Sequence, residues 1–164
     1  MLNIPTGRRG SFLNTRMSYL KFQLKNTTTG TAPLAPDFNI ASIFSRLELY
    51  HGSNLLEQIH EYGMLVNLWH DMTGSTASFI TNGNLLEGQS TTARLGASLA
   101  AGANQVYCIP LLSGIVGVLQ NKYLPTGDMT AGDLRLELTL ANAADGIVAD
   151  AARTWTVENV QMML

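Results

Sequence analysis

Alternation of apolar and polar residues is clearest at 134–140, where leucine occupies every even position and polar residues occupy the odd positions between them. A period of two is typical of a β-strand with one buried face. A second extended run covers 106–119, interrupted by Gly114 and Gly117, and the turn-forming residues 125–128 separate the two runs. Both strands need an opposing layer over their apolar faces, so the pattern predicts an all-β sandwich.

Alternation predicts three further strands, at 11–26, 40–50 and 154–164. In the first, Leu20, Phe22 and Leu24 are expected to face inward. The second is expected to carry two opposite faces, one formed by Ile43, Leu47 and Leu49 and the other by Phe44, Arg46, Glu48 and Tyr50. In the last, Trp155 and Val157 are out of phase with Val160, Met162 and Leu164, which predicts a β-bulge near 158–159.

The period changes after residue 54. Apolar residues then recur at steps of three and four, which predicts one face of a single helix: Leu55, Ile59, Tyr62, Val66 and Trp69. Gly63 in the interior costs such a helix about 1 kcal/mol relative to alanine, so we expect it to depend on docking of its apolar face. The stretch 73–105 is rich in small residues and turn formers, and its pattern predicts no strand order.

The chain has 164 residues, which fits one domain spanning 1–164. Only 13% of its residues are charged, against about 25% in an average soluble domain, so its surface is unusually poor in charge. The formal net charge of -2 gives no overall attraction to nucleic acid. Arg8, Arg9 and Arg16 make the N-terminal part locally basic, and a solvated strand and turn explain them better than phosphate binding does.

Candidate catalytic and metal-binding groups are poorly spaced. His51, His60 and His70 invite a metal hypothesis, but ten helical residues between His60 and His70 would separate them by about 15 Å. One ion needs ligands at about 2 Å. Cys108 lies in an apolar run, which favours a reduced core thiol, and no nucleophile elbow or phosphate-binding loop is present. We therefore predict no metal, no cofactor and no enzyme activity.

The sequence shows neither a secretory signal nor a membrane-spanning segment. The N-terminus lacks the charged start and apolar block of a secretory signal, and no apolar stretch reaches the roughly 18 residues of a spanning helix. The single cysteine permits no internal disulfide. These features predict an unsecreted protein.

Several phrases in this order resemble the major capsid proteins of tailless icosahedral viruses, the double jelly-roll lineage. The resemblance covers most of the chain and is carried by IPLLSG at 109–114 and YLP at 123–125. The matching positions are structural in that family, not catalytic: Ile109, Pro110, Leu111, Ser113, Gly114, Tyr123, Leu124 and Pro125.

This resemblance implies an antiparallel eight-stranded jelly roll with one short helix after the second strand. A double jelly-roll subunit holds two such sandwiches, and 164 residues hold one. The chain is then either half of such a subunit or a single jelly-roll relative, and its end inside an apolar strand favours the half.

The implied function is self-assembly into an icosahedral shell through the flanks of the sandwich and the helix that begins at Leu55. Expected partners are other copies, as trimers or pseudo-hexameric capsomers, together with minor capsid or penton proteins. The expected location is the virion, assembled inside the host cell. The resemblance also suggests that Arg8, Arg9 and Arg16 contact the genome or an internal membrane.

Two other functions remain compatible with a jelly roll. A carbohydrate-binding module would display exposed aromatic side chains on one sheet face, which Tyr19, Phe44 and Tyr50 could supply. A cupin-like metalloenzyme would need a cluster of histidines and a carboxylate on adjacent strands, and the three separated histidines do not provide one.

Overall fold

Antiparallel strands make up most of the regular secondary structure. A computed structural model describes residues 1–90, 96–129, 132–147 and 153–163. Within these ranges nine strands form three antiparallel sheets, so the predicted β-rich class is confirmed, with nine strands rather than eight. In chain order they are β1 (Leu2–Ile4), β2 (Leu13–Asn14), β3 (Tyr19–Asn26), β4 (Phe44–His51), β5 (Asn54–His60), β6 (Asn104–Pro110), β7 (Tyr123–Leu124), β8 (Leu134–Leu140) and β9 (Trp155–Met163).

The two larger sheets have the orders β1-β8-β4-β5 and β6-β3-β9, and β2 pairs with β7 alone. Their inward side chains meet in one core, in which the ring of Phe22 on β3 lies edge-on to Phe44 on β4 at 5.3 Å. Leu134 and Leu136 of β8 are fully buried, as the leucine alternation predicted, whereas Leu140 at the end of the strand is exposed. The alternation therefore identified the strand and its inner face correctly.

Three predicted strands begin or end elsewhere. The run 11–26 is interrupted by a 3-10 turn at Thr15–Met17, and its long strand begins at Tyr19. The run 40–50 starts as a 3-10 turn, Ile40–Ile43, because the side chain of Asn39 accepts a hydrogen bond of 2.8 Å from the N–H of Ala41. A register shift between Phe44 and Arg46 then places Phe44 in the core with Leu47 and Leu49, against the prediction that it lies on the face opposite them. The run 106–119 is a strand only as far as Pro110.

The predicted bulge in the last strand is confirmed. Gln23 of β3 lies opposite Glu158, whereas Lys21 lies opposite Gln161, so β9 carries an extra residue between these pairs. Asn159 occupies it with φ of 54°, in the left-handed region. The bulge lets Met162 pack against the core on the same side as Trp155 and Val157, and Leu164 lies outside the described residues.

Helices are few and mostly short. They are α1 (Tyr62–Thr73), α2 (Thr76–Ser78), α3 (Asn84–Glu87) and α4 (Ala143–Gly146), with a π-helical turn at Phe79–Gly83 and 3-10 turns at Thr15–Met17, Ile40–Ile43 and Thr126–Asp128. The prediction of a helix from Leu55 is wrong, because residues 54–60 are strand β5 and Ile59 pairs with Leu47 of β4. Leu55 and Ile59 differ by four positions, a spacing that fits both a strand and a helix. The helix consequently follows β5, not the second strand.

Candidate interaction surface

Helix α1 is positioned by a close backbone contact. The chain leaves β5 through Glu61, whose φ is 50°, and enters the helix at Tyr62. At Gly63 a Cβ atom would lie 2.6 Å from the Cα of Ser42 and 2.9 Å from the carbonyl oxygen of Ala41. Only glycine allows this approach, so the helix lies directly on the 3-10 turn at 40–43.

The inner face of α1 belongs to the core of the subunit. Tyr62 and Val66 are buried and Trp69 packs against the core, so these three positions of the predicted subunit-contact helix anchor it from within. They are therefore unsuited to binding a neighbouring subunit. Of the other two predicted contact positions, Leu55 is exposed on β5 and Ile59 packs against the core from the same strand.

The opposite side of α1 is apolar and exposed. Met64 is 69% exposed, Leu65 38%, Leu68 56% and Met72 77%, and at about 100° per residue these four side chains fall within one third of the helix circumference. We call them the outer face of α1. A helix that is apolar on both its inner and outer sides is typical of one that is covered on both sides. The sequence shows this second stripe at 64, 68 and 72, but a helix assumed to start at Leu55 draws attention to the inner stripe alone.

An apolar groove of about 180 Å³ lies elsewhere on the chain, beside the ends of β8 and β9. Its walls are formed by apolar side chains of both large sheets and the N-terminal strand, among them Leu2, Phe44, Leu138, Leu140, Val157 and Val160. Leu140 is 47% exposed and Val160 37%. The groove has room for apolar side chains from outside the subunit.

The first motif of the resemblance, at 109–114, ends in a loop that is hydrogen-bonded to a neighbouring strand. Ile109 and Leu111 are buried. The Ser113 hydroxyl donates a short hydrogen bond to the Glu57 carboxylate on β5, and the Gly114 N–H donates to the same carboxylate at 2.8 Å. The Ser113 oxygen in turn accepts from the N–H of Val116 at 3.1 Å. The motif therefore closes the end of β6 onto β5, and Glu57 is a structural partner that sequence spacing could not identify.

The second motif, at 123–125, fixes the N-terminal segment. Tyr123 and Leu124 form β7 and pair with β2. Past Pro125, the N–H of Gly127 donates to the carbonyl of Ser11 at 3.0 Å, and the Thr126 carbonyl accepts from Gly7 at 2.9 Å. Both motifs thus join segments that are distant in sequence.

The candidate carbohydrate-binding aromatics do not form one exposed set. Phe44 is buried, while Tyr19 and Tyr50 are only half-buried and lie on different sheets. The Arg135 guanidinium lies 4.7 Å from the centre of the Tyr50 ring and occupies its face. The aromatic platform expected of that function is therefore incomplete at these positions.

The three histidines occupy different elements: His51 ends β4, His60 ends β5 and His70 lies in α1. Across the residues that the structure describes, no three His, Cys, Asp or Glu side chains come together as a metal site. Burial raises the pKa of the half-buried Cys108 thiol above its ordinary value, which keeps the thiol protonated. The basic residues Arg8, Arg9 and Arg16 are all exposed.

A cleft of about 230 Å³ lies between the end of α1 and the short helices that follow it. Inside it the Nε2 atom of His70 lies 3.1 Å from a carboxylate oxygen of Glu87. Both side chains are nearly buried, so the cleft contains an acid and an imidazole removed from bulk water. The charge pattern of the sequence does not reveal this pair, because the two residues are 17 positions apart in a stretch without clear periodicity.

Comparison with known proteins adds no family to this picture: no protein-family model matches the chain, and a search of curated proteins gives no significant match. Among the described residues, no helix has both the length and the apolar character needed to cross a membrane.

Proposed function

We propose that this chain is a structural subunit that assembles with copies of itself into a virus-like shell. The observation that carries the proposal is the outer face of α1, four exposed Leu and Met side chains on a helix whose other side already forms the core. Together they form a contiguous exposed apolar patch, the kind of surface that often marks a functional contact. The low fraction of charged residues, 13%, also supports a subunit whose surface is partly covered by other copies.

A jelly-roll arrangement is part of this proposal. Strand β3, the first long strand, pairs with the last strand β9, and β4 pairs with β8, the last strand but one. Such nested pairing of early with late strands supports a jelly roll, in which the chain doubles back on itself. The motifs at 109–114 and 123–125 support it as well, because they tie the end of β6 to β5 and pair β7 with β2.

The contact we propose is heterologous: the outer face of α1 on one copy packs into the groove between β8 and β9 on the next. A patch that fits a pocket elsewhere on the same molecule generates a ring or an extended lattice rather than an isolated pair. Rings of three, or pseudo-hexameric capsomers, are the assemblies that the resemblance implies. Exposed Arg8, Arg9 and Arg16 would then face the genome or an inner membrane, and minor capsid or penton proteins would complete a virion assembled in the host cell.

The test is the assembly state of variants with a charge placed on the outer face. Leu68→Glu introduces a carboxylate at a 56% exposed position, and Leu119→Glu is the matched control at a 55% exposed position outside both proposed surfaces. We expect the wild type and Leu119→Glu to form oligomers that grow with concentration in size-exclusion chromatography with light scattering. Leu68→Glu should stay monomeric with an unchanged circular dichroism spectrum.

A charge pair tests the partner surface. Val160→Lys in the groove should also prevent assembly, and Leu68→Glu combined with Val160→Lys should restore part of it because the opposite charges meet across the contact. A wild-type chain that remains monomeric at high concentration, or a Leu68→Glu variant that assembles normally, would refute the proposed function. Electron microscopy of the assembled material would show whether the oligomers are closed rings.

A further inference from the structure

Residues 75–90 are attached to the rest of the subunit mainly through polar groups. Among the side chains that the structure describes in this segment, the large apolar ones are exposed: Ile80, Leu85 and Leu86. The buried side chains larger than glycine are Glu87 and Gln89, and both are polar. A segment with so little buried apolar surface has low local stability, and its position depends on the hydrogen bonds of these two residues.

The central contact of this attachment joins α3 to the last turn of α1. His70 Nε2 lies 3.1 Å from Glu87 Oε2, with side-chain exposures of 12% and 11%. The Trp69 ring lies edge-on to the imidazole at 5.0 Å and covers one side of it. The Gln89 amide nitrogen lies 3.5 Å from the same carboxylate oxygen, a weak hydrogen bond, and the amide oxygen of Gln89 is buried without a partner among the described residues.

Other titratable groups near the pair do not neutralise it. On β6, which packs against α3, Tyr107 is buried, with its ring against Gly88, and the charge of Glu87 helps to raise the pKa of the Cys108 thiol, which stays neutral. Burial raises the pKa of Tyr107 to about 12, so its hydroxyl carries no charge near neutrality. Lys21 of β3 lies opposite Cys108 in the sheet and is exposed, so water screens its charge. Asp71 is adjacent on α1 and exposed.

Burial sets the protonation of the two groups in opposite directions. It raises the pKa of the Glu87 carboxyl from 4.5 to about 7 and lowers the pKa of His70 below 6.5. The stability contributed by protonated Glu87 is present at low pH and is lost as pH rises through about 7. The stability contributed by neutral His70 is present above 6.5 and is lost as pH falls through its lowered pKa. In mildly acidic solution the pair therefore carries one proton and no net charge.

We propose that the His70–Glu87 contact is a one-proton latch that holds residues 75–90 against β6 and loosens when the pair loses its proton above neutral pH. With no proton, a carboxylate is buried beside a neutral imidazole, and opening the segment returns that charge to water. A second proton in strong acid leaves a buried imidazolium and also favours opening. The latch goes beyond self-assembly and does not depend on it, since every group involved lies within one subunit.

Hydrogen exchange of the full chain, followed by mass spectrometry and corrected for the intrinsic pH dependence of exchange, tests the latch. Between pH 6.5 and 8 we expect peptides covering 75–90 to lose about twofold in protection. Deprotonation of Glu87 in the closed form lowers protection about fourfold, and loss of the proton that His70 binds in the open form offsets about half of this change. Peptides from β3 and β4 should change little. If the protection of residues 75–90 changes with pH no more than that of the core peptides, this measurement on the wild type refutes the latch without any variant.

Variants separate the latch from general loosening. Glu87→Gln keeps the shape but cannot ionise, so the loss of protection of 75–90 between pH 6.5 and 8 should disappear, and the titration of His70 alone should raise protection slightly. Glu158→Gln, at an exposed position on β9, is the control and should retain the wild-type dependence. His70→Gln keeps a hydrogen-bond donor beside Glu87 and should retain a loss of protection near pH 7. A loss of protection with rising pH that survives Glu87→Gln, or that disappears in His70→Gln, contradicts the assignment.

Discussion

The phenolic oxygen of Tyr62 accepts a hydrogen bond of 2.9 Å from the backbone N–H of Leu112, although 50 positions separate the two residues. Both residues are buried, so the bond joins the first turn of α1 to the loop that follows β6 within the core. Burial raises the pKa of the Tyr62 hydroxyl above its ordinary value, and the group stays neutral. The contact satisfies a backbone donor that has left the β6 ladder.

Replacing this hydroxyl should cost stability. Tyr62→Phe leaves the buried Leu112 N–H without a partner, which costs about 1–3 kcal/mol. Tyr107→Phe is the matched control, because the Tyr107 hydroxyl is buried and has no hydrogen-bond partner among the described residues. Its removal should leave stability unchanged or slightly higher. Urea unfolding of both variants measures the difference, and equal losses in the two would contradict the assigned role of Tyr62.

Strand identity was predictable wherever a period of two persisted over several residues. The leucine alternation at 134–140 gave β8 and its inner face, and the phase change after Val157 gave the bulge at Asn159. Both patterns are local, because successive side chains of a strand point to opposite faces and alternate residues therefore share one face. Hairpin β4–β5 was missed because Leu55 and Ile59 fit two periods equally well, and only the pairing with β4 distinguishes them.

The candidate surface and the cleft were predictable to different degrees. The spacing of Tyr62, Val66 and Trp69 was enough to predict a helix here. Its outer face suggests a contact surface only because the structure shows that the inner face already packs in the core. The carboxylate contacts of Glu57 and Glu87 depend on long-range packing, and no sequence period records them. The burial of Phe44 likewise depends on a register shift that the alternation does not contain.

Gly63 should not tolerate alanine, although alanine normally stabilises a helix interior by about 1 kcal/mol over glycine. The added methyl group would lie within 3 Å of the backbone at Ala41 and Ser42, neither of which can move without distorting the 3-10 turn. We expect a net loss of about 1–3 kcal/mol. Leu119→Ala, at a 55% exposed position outside both proposed contact surfaces, should have little effect in the same thermal unfolding measurement. A stabilised Gly63→Ala variant would show that the helix lies farther from the turn than described.

Glu57→Ala should loosen the loop at 113–116, because the carboxylate accepts from both Ser113 and Gly114. We expect a loss of about 1–2 kcal/mol for this partly exposed, charge-assisted contact, together with faster amide exchange at Gly114. Glu137→Ala is the control, since Glu137 is also half-exposed but forms a surface ion pair of 2.8 Å with Arg135. That pair is worth at most about 1 kcal/mol, and its loss should leave exchange at Gly114 unchanged.

The bulge in β9 depends on the left-handed backbone of Asn159, at φ of 54°. Asn159→Gly should be tolerated, because glycine adopts this conformation freely and the only side-chain hydrogen bond described for Asn159, to Gln23 at 3.1 Å, is exposed. Asn159→Val should cost about 1–2 kcal/mol, since a branched Cβ is strained there, and should lower the melting temperature by roughly 2–8 °C. Gln161→Val, two positions away in regular strand, is the control and should not lower it. If Asn159→Val were as stable as Asn159→Gly, the extra residue of β9 would have to lie at another position.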